Sequence, residues 1–293
     1  MAGKSGGTPY KPRSGTAGQL NVCKLREKMD QSRPKKESLE KLFDPKEFLK
    51  TYYSFDSTSS EKNDIRMFLL RNFFKTFILD GVKGNTLIYI GGGPSICELL
   101  SACESFQEII VTNHMDRNCQ ELQKWLKKEP GAFDWTPLVK YVCELEGDRK
   151  KWAEKEEKLR RTVKQVLECD VTKFNPVTFA SLPPADCLLI CHCLAETCKD
   201  LSTYRAALKN ISSLLKPGGH LLMVTTMKCN YYMVGQHKFP CLFLEKEFLE
   251  EAVKEAGYDI LKFEVTPICH TASLVEHEGI SYLVATKGKG KED

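Results

Sequence analysis

The stretch Thr86-Leu87-Ile88-Tyr89-Ile90-Gly91-Gly92-Gly93-Pro94 decides the fold of this chain. Its apolar part is typical of a buried parallel strand, and the three glycines predict a tight turn after it. Because glycine has no Cβ, this turn can adopt positive φ angles, and a ligand can lie directly against its backbone N–H groups. The loop predicts a nucleotide-type pocket, but an ordinary strand-to-helix turn fits this short motif equally well.

The segments on either side of this loop have helical periodicity. Downstream, apolar side chains recur through Ser95–Cys103, so we expect the loop to open onto a helix there. Upstream, Leu42–Phe55 and Asp64–Phe77 carry aromatic and aliphatic residues on one helical face. These two segments predict a helical cap in front of the first strand.

From Leu87 onward, strand patterns alternate with helix patterns, which predicts a parallel sheet with helices on both faces. Ligands in such sheets bind outside the carboxyl ends of the strands. The predicted strands are Leu87–Ile90, Ile109–Thr112, Gln165–Cys169, Asp186–Cys191, His220–Thr226, Ile260–Val265 and Ile280–Thr286, with Leu138–Cys143 as a further candidate, and the predicted helices between them are Met115–Leu126, Lys150–Lys164, Asp200–Leu215 and Glu245–Ala256.

Length and charge bound the class of protein. A chain of 293 residues suits one large α/β domain or two small ones. Residues 1–36 hold nine Lys or Arg against Glu27 and Asp30, so the rest of the chain is mildly acidic and does not present a nucleic-acid-binding charge. The basic segment is poor in large apolar residues, which predicts a disordered tail over residues 1–40.

The cysteine content and the hydropathy indicate a compartment. We expect the 13 cysteines to be reduced, because a chain with a large core does not need disulfides. No segment reaches the roughly 18 apolar residues of a membrane span, and no secretory leader opens the sequence. These observations predict a cytoplasmic protein without a membrane partner.

Polar residues follow three of the predicted strands. Asn113 comes 22 residues after Gly91, near the spacing at which nucleotide folds place a ribose-binding acid, although a turn residue is an equal alternative. Asp170 could accept a hydrogen bond from an adenine amino group or cap the next turn. Cys191-His192-Cys193 suggests zinc, but consecutive residues lack the spacing of paired zinc ligands, so we predict no metal site.

Several motifs together resemble the nicotinamide, phenylethanolamine and indolethylamine (thioether) N-methyltransferase family. The similarity covers roughly residues 43–287. The motifs are Gly91-Gly-Gly-Pro94, the Leu122–Trp135 segment with Trp-Leu-Lys-Lys-Glu-Pro, Leu214-Leu-Lys-Pro-Gly-Gly219, Tyr52-Tyr-Ser-Phe55, Leu79-Asp-Gly-Val-Lys-Gly84, Cys169-Asp-Val171 and Tyr231-Tyr-Met-Val-Gly235.

The resemblance implies a Rossmann-like class I methyltransferase with a mostly parallel seven-stranded sheet, helices on both faces and an N-terminal helical lid over residues 41–80. It places the methyltransferase domain at 41–287, followed by a flexible tail at 288–293. It implies S-adenosyl-L-methionine as cofactor. The implied cofactor-binding residues are Phe48, Tyr53, Gly91, Gly92, Gly93, Cys97, Asn113, Asn118, Asp170, Val171 and Cys191, and those around the methyl acceptor are Phe48, Thr225, Tyr232 and Cys241.

The chain departs from the family pattern at six positions. The family's loop usually reads Asp-Ile-Gly-Ser-Gly-Pro, whereas Tyr89 replaces the acid and Gly92 the serine. An acid that usually ends the second strand is replaced by Asn113. Tyrosines are replaced by Phe48 and Cys97, and an acceptor-site carboxylate of the nicotinamide and phenylethanolamine enzymes is replaced by Thr225. If each lost contact costs about 1 kcal/mol, the loss of three or four of them would weaken cofactor binding by about two to three orders of magnitude.

These features predict transfer of a methyl group to the nitrogen of a small amine or pyridine-like acceptor. Nicotinamide is disfavoured by Thr225, and a thioether or selenide acceptor is a further alternative. No side chain is required to abstract a proton, so we predict no catalytic residue. We expect a monomer whose partner is the small acceptor. The competing hypotheses are a degenerate family member that binds the cofactor weakly and a binding module whose basic tail engages acidic partners or RNA.

Overall fold

The computed structural model describes residues 40–54, 60–177, 182–266 and 274–289. Contacts divide the chain into two units, Met1–Leu42 and Phe43–Asp293, and the β-sheet lies in the second unit. The predicted basic tail lies outside the described residues except for Glu40, and residues 290–293 of the predicted C-terminal tail lie outside them too.

The second unit is built on one seven-stranded sheet. The strands of the sheet are β1 Gly84–Gly91, β2 Phe106–Asn113, β3 Val163–Glu168, β4 Ala185–Cys191, β5 Leu215–Met227, β8 Tyr258–Thr266 and β9 Gly279–Lys287, and a separate hairpin consists of β6 Tyr231–Val234 and β7 His237–Pro240. The order of the strands across the sheet is β3-β2-β1-β4-β5-β9-β8. The pairs among β1 to β5 are parallel, and β9 runs antiparallel to both of its neighbours. This arrangement confirms the predicted fold class.

The helices begin with two that precede the sheet, as predicted for the lid. Asp44 caps the first of them by accepting backbone N–H groups of Lys46 and Glu47 at 2.8 and 3.2 Å. A π-helical turn at Lys75–Leu79 extends the second. The α-helices are α1 Pro45–Tyr53, α2 Ser60–Phe74, α3 Ala102–Ser105, α4 Asp116–Leu126, α5 Thr136–Leu145, α6 Trp152–Thr162, α7 Leu194–Thr197, α8 Leu201–Ser212 and α9 Lys246–Glu255.

Two predicted elements are wrong. Leu138–Cys143 is not a strand but the middle of α5, where Pro137 occupies the first turn and the buried positions 138, 139, 142 and 143 have helical spacing. Ser95–Cys103 is not one helix but a 3₁₀ turn at Cys97–Leu99 followed by α3. There the Ser95 hydroxyl accepts the Cys97 N–H at 3.1 Å, a local bond that competes with helix formation.

Other differences concern element ends and short elements. Helix α8 ends at Ser212, and the Lys216-Pro-Gly-Gly219 segment predicted to follow a helix lies inside β5. The predictions also lacked α7 and the two strands of the β6–β7 hairpin, because each of these three elements is only four residues long. Within the described residues, no helix is long and apolar enough to cross a bilayer.

The sheet register brings the loop to the centre of the carboxyl edge. Gly91, the last residue of β1, pairs with Asn113 at the end of β2 and with Cys191 at the end of β4. Strand β1 is almost wholly buried, with Leu87 and Ile88 at 0% exposure. The strand ends at the predicted ligand edge therefore belong to the buried core.

Candidate active site

The glycine loop is packed closely by its own chain. A Cβ at Gly91 would lie 2.7 Å from Cε1 of Tyr89, a Cβ at Gly92 would overlap the carbonyl oxygen of His192, and a Cβ at Gly93 would overlap the ring of Phe48. All three positions require glycine for close approach of neighbouring groups. Two of these neighbours are aromatic rings that lie against the loop.

Two asparagines hold the carbonyl groups of this loop. Nδ2 of Asn113 donates to the oxygens of Gly91 and Gly93 at 2.8 and 3.2 Å, and Nδ2 of Asn118 donates to that of Gly92 at 3.2 Å. Oδ1 of Asn113 accepts from Nδ2 of Asn118 at 3.1 Å. The two residues predicted to face a ribose therefore also brace the loop, and their ribose contact stays a prediction.

Asn118 retains one unsatisfied group. Its Oδ1 is buried and has no hydrogen-bond partner among the described residues. Buried polar atoms are usually paired, so an unpaired acceptor beside the loop suits a ligand that carries a hydroxyl or amino group.

A buried carboxylate lies on the other side of the loop. Glu98 is 2% exposed and accepts hydrogen bonds from Ser95 Oγ at 2.6 Å, Tyr53 Oη at 3.2 Å and Tyr89 Oη at 3.4 Å. Burial and then the charge of Glu98 raise the pKa values of Tyr53, Tyr89 and Cys97. Tyr89 therefore replaces the family's acid without removing negative charge from the region.

The remaining predicted cofactor residues lie at or just after strand ends, where Val171 and Cys191 are buried and Asp170 is half-buried. Oδ1 of Asp170 accepts the N–H and the hydroxyl of Thr172 at 3.0 and 2.6 Å, so this carboxylate holds its own turn. Val171 and Cys191 are buried at 0% and 2% exposure. The structure places them near the same sheet edge, and their cofactor contacts stay predictions.

A cavity of about 60 Å³ opens beside Gly92. Its wall contains four aromatic residues, and two of them, Phe48 and Tyr232, are among those that the resemblance places around the acceptor. The centroid of the Phe48 ring lies 5.1 Å from that of the Tyr52 ring and 5.9 Å from that of the Tyr53 ring. The lining residues are Phe48, Tyr52, Tyr53, Arg66, Gly92, His192, Glu196, Thr226, Cys229, Tyr232, Cys241, Val275 and Ile280.

One predicted acceptor residue is absent from this lining. Thr226 belongs to the wall, whereas Thr225 is 5% exposed and its carbonyl oxygen accepts the Ser281 hydroxyl at 3.2 Å. Successive side chains of a strand point to opposite faces, so only one of the two threonines of β5 can face the cavity. Tyr232 and Cys241 are in the wall, and their contact with an acceptor stays a prediction.

Sequence reasoning missed several polar groups in the wall, and two of them, His192 and Glu196, have strongly shifted pKa values. His192 adopts a φ of 47°, and its Nδ1 lies 3.3 Å from Oγ1 of Thr226. Burial, followed by the charge of Arg66, lowers the pKa of His192 to about 3, so this imidazole is neutral near pH 7. Its position after a strand end was a usable signal, but it was considered only for zinc. Among the described residues there is no group of three or more side chains that could hold a metal.

Glu196 is the second missed group. It lies in α7, the short helix that the sequence did not reveal, and its Oε2 is buried with no hydrogen-bond partner among the described residues. Burial raises the pKa of this carboxyl to about 7. A titratable group with a strongly shifted pKa in a cavity is typical of a functional site.

The sheet order and the glycine loop at the end of β1 define a class I S-adenosylmethionine-dependent methyltransferase. A solved structure with this fold is the magnesium protoporphyrin IX methyltransferase ChlM of Synechocystis PCC 6803 with bound SAH, with a TM-score of 0.53 and 11% identity over 86% of this chain and all of that chain. Residues 32–288 match the model of the NNMT/PNMT/TEMT family. The chain belongs to this family, as the sequence motifs implied.

Two curated relatives show how near the chain lies to other members. It is 56% identical to the nicotinamide N-methyltransferase of Homo sapiens over 245 residues, which are 84% of this chain and 93% of that protein. It is 51% identical to the indolethylamine N-methyltransferase of Mus musculus over 252 residues, which are 86% and 96% of the two chains. Both alignments span nearly the whole relative.

The cofactor of this class is S-adenosylmethionine, and the residues at the loop fit it. The unpaired Oδ1 of Asn118 offers an acceptor to a polar group, and the rings of Phe48 and Tyr53 offer faces that attract a cation such as a sulfonium. The three glycines leave the loop backbone without side chains of its own. That the cofactor contacts Asn118 and these rings stays a prediction.

Proposed function

We propose that this chain transfers a methyl group from S-adenosylmethionine to the nitrogen of a small-molecule amine or pyridine-like acceptor. The observation that carries the proposal is Oε2 of Glu196, which is buried and unpartnered among the described residues and belongs to a residue of the cavity wall. Leaving such an oxygen without a donor costs about 1–3 kcal/mol, which an N–H group of an acceptor would recover.

Glu196 would act on the proton of the acceptor nitrogen. The bound cofactor supplies an activated methyl group on a positively charged sulfur, so the reaction depends mainly on positioning. In its ionised form, the Glu196 carboxylate accepts a hydrogen bond from an amine N–H or takes the proton of an ammonium group, which frees the nitrogen lone pair. Because its pKa is raised to about 7, this group can bind and release a proton near neutral pH.

The surrounding residues favour a neutral acceptor nitrogen. The rings of Phe48, Tyr52 and Tyr232 exclude water, and desolvation disfavours a charged amine. Arg66 lies in the same wall with its guanidinium carbon 3.8 Å from the centroid of the Tyr53 ring, and its positive charge also opposes an ammonium. Neutral His192 adds a hydrogen-bonding group without adding charge.

The names of the relatives support a nitrogen acceptor. The two relatives described above are named for the N-methylation of nicotinamide and indolethylamine. A carboxylate in the wall favours acceptors that carry an N–H group, which includes amines, whereas a neutral pyridine nitrogen carries none. We therefore expect amines to be better acceptors than thioethers.

The experiment is a screen with S-adenosylmethionine that carries a labelled methyl group, against amines, pyridines and thioethers, for the wild type and Glu196→Gln. We expect label on an amine or pyridine nitrogen, and a KM for that acceptor about tenfold higher in Glu196→Gln, which corresponds to about 1.4 kcal/mol. The matched control is Glu129→Gln, which changes an exposed carboxylate. This control variant should leave KM and kcat unchanged.

Calorimetry with S-adenosylhomocysteine separates the two possible failures. Binding together with the absence of transfer to every acceptor class would contradict the acceptor assignment. Absence of both binding and transfer would contradict the catalytic function and support the degenerate family member considered from the sequence. Glu196→Gln should bind S-adenosylhomocysteine as the wild type does, because the proposed contact is with the acceptor.

A further inference from the structure

Two thiols that are not joined by a disulfide meet in the wall of the cavity. Cys229 lies after β5 and Cys241 directly after β7, so the pair flanks the β6–β7 hairpin. Their Sγ atoms are 3.0 Å apart, which is closer than ordinary non-bonded contact between two sulfurs. A disulfide needs an S–S distance of about 2.05 Å, so a movement of about 1 Å would join them.

The pair differs in access from the other cysteines. Both residues line the cavity, although their exposed fractions are only 1% and 8%. None of the other cysteines in the described ranges is in this lining.

We propose that Cys229 and Cys241 form a dithiol site that reacts with low-molecular-weight disulfides such as oxidised glutathione and closes to a reversible disulfide. One cysteine, as its thiolate, attacks a sulfur of the small disulfide, and one thiol leaves. The second cysteine then attacks the protein sulfur of the mixed disulfide, and the second thiol leaves. The two protein cysteines are oxidised, the small disulfide is reduced to two thiols, and the two protons from the cysteines pass to these thiols.

The bond would restrain one wall of the cavity. The backbone N–H of Cys241 donates to the Asn230 carbonyl at 3.0 Å, so the two ends of the hairpin already lie together. The hairpin carries Tyr232, and its Met233 carbonyl accepts the Tyr52 hydroxyl of α1 at 2.8 Å. A disulfide between Cys229 and Cys241 therefore fixes the base of the β6–β7 hairpin, which connects the cavity wall to α1. This site does not depend on the identity of the acceptor.

The test uses the full-length protein equilibrated with reduced or oxidised glutathione. Intact mass should fall by two hydrogen atoms under oxidation, and peptide mapping should link Cys229 to Cys241. Amide hydrogen exchange in the hairpin should slow about tenfold in the oxidised protein and return to its first rate after reduction. A folded wild-type protein in which these two residues stay unlinked in oxidised glutathione would overturn the proposal.

Variants make the assignment specific. Cys241→Ser should retain one glutathione on Cys229 and show no slowing of hairpin exchange. The matched control is Cys143→Ser, which changes a buried thiol of α5 outside the cavity lining and should form the Cys229–Cys241 link as the wild type does. If Cys241→Ser does not fold, phenylarsine oxide, which bridges neighbouring thiols, provides a second measurement on the wild type. It should bind the reduced protein one to one and not bind the oxidised protein, and equal binding to both forms would contradict the site.

Discussion

The hydroxyl of Tyr89 lies 3.4 Å from Oε2 of Glu98, and this contact joins the end of β1 to the turn that follows the glycine loop. The same carboxylate accepts hydrogen bonds from Ser95 and Tyr53. The family usually has an aspartate where this chain has Tyr89. The negative charge that the strand lacks is therefore supplied by Glu98, nine residues later.

The contact between Tyr89 and Glu98 changes the expected effect of Tyr89→Asp on cofactor affinity. From the sequence, Tyr89→Asp is expected to tighten cofactor binding. In the structure, the aspartate side chain is too short to reach the place of the Tyr89 hydroxyl, but its carboxylate would lie in the same buried region as Glu98, and a like charge nearby disfavours ionisation. We expect Tyr89→Asp alone to gain little affinity for S-adenosylhomocysteine, and Tyr89→Asp with Glu98→Gln to bind about tenfold more tightly than Tyr89→Asp. Isothermal titration calorimetry measures both, and equal affinities would show that Glu98 does not couple to position 89.

Asn113→Asp should destabilise the protein. The substitution replaces the Nδ2 group that donates to the Gly91 and Gly93 carbonyls with an oxygen, and it buries a charge at a position with 0% exposure. We expect the free energy of unfolding to fall by about 3 kcal/mol. Urea denaturation measures this change. Asn210→Asp on α8 is the control and should change it by less than about 1 kcal/mol, whereas an equal loss in both variants would remove the bracing role of Asn113.

Gly92→Ala and Gly93→Ala should differ in how they can be rescued. At Gly93 the new methyl group meets the Phe48 side chain, and at Gly92 it meets the backbone oxygen of His192. Each substitution should cost about 1–3 kcal/mol in urea denaturation. Adding Phe48→Ala should recover about 1 kcal/mol for Gly93→Ala, as a favourable coupling in a double-mutant cycle, and nothing for Gly92→Ala. Equal coupling at both positions would mean that Phe48 does not pack on Gly93.

Glu196 predicts a pH dependence of stability. Its pKa is raised from 4.5 to about 7 on folding, so between these values the folded protein binds more protons than the unfolded chain. This group therefore lowers the free energy of unfolding as the pH rises from about 4.5 to about 7, by roughly 1–3 kcal/mol in total. Glu196→Gln removes the effect, so its stability relative to the wild type should increase over that interval in urea denaturation. A difference that is constant with pH would contradict the shifted pKa.

Several features of the site could be read from the chain. The structure brings the glycine loop and the strand ends at Asn113 and Cys191 to one edge of the sheet, as the sequence predicted. Phe48, Tyr53 and Tyr232, which the resemblance implied as site residues, line the cavity beside Gly92, and their contacts with a cofactor or an acceptor stay predictions. Sequence reasoning treated Asn113 as a ligand contact and did not reveal its bonds to the loop carbonyls. It also did not reveal Glu196, because a four-residue helix has too few residues for a periodic pattern.

The sequence by itself determined the family and the seven strands of the main sheet with most of the longer helices, because these follow from motifs and from periodicities that act within a few residues of one another. Only the tertiary structure decided that Thr226 rather than Thr225 faces the cavity, that Glu98 supplies the buried charge and that Cys229 meets Cys241. Such facts depend on the pleat of a strand, on the burial of a carboxylate and on contacts across a hairpin. A pattern along the chain does not encode them, since they arise when distant segments pack and exclude water from particular polar atoms.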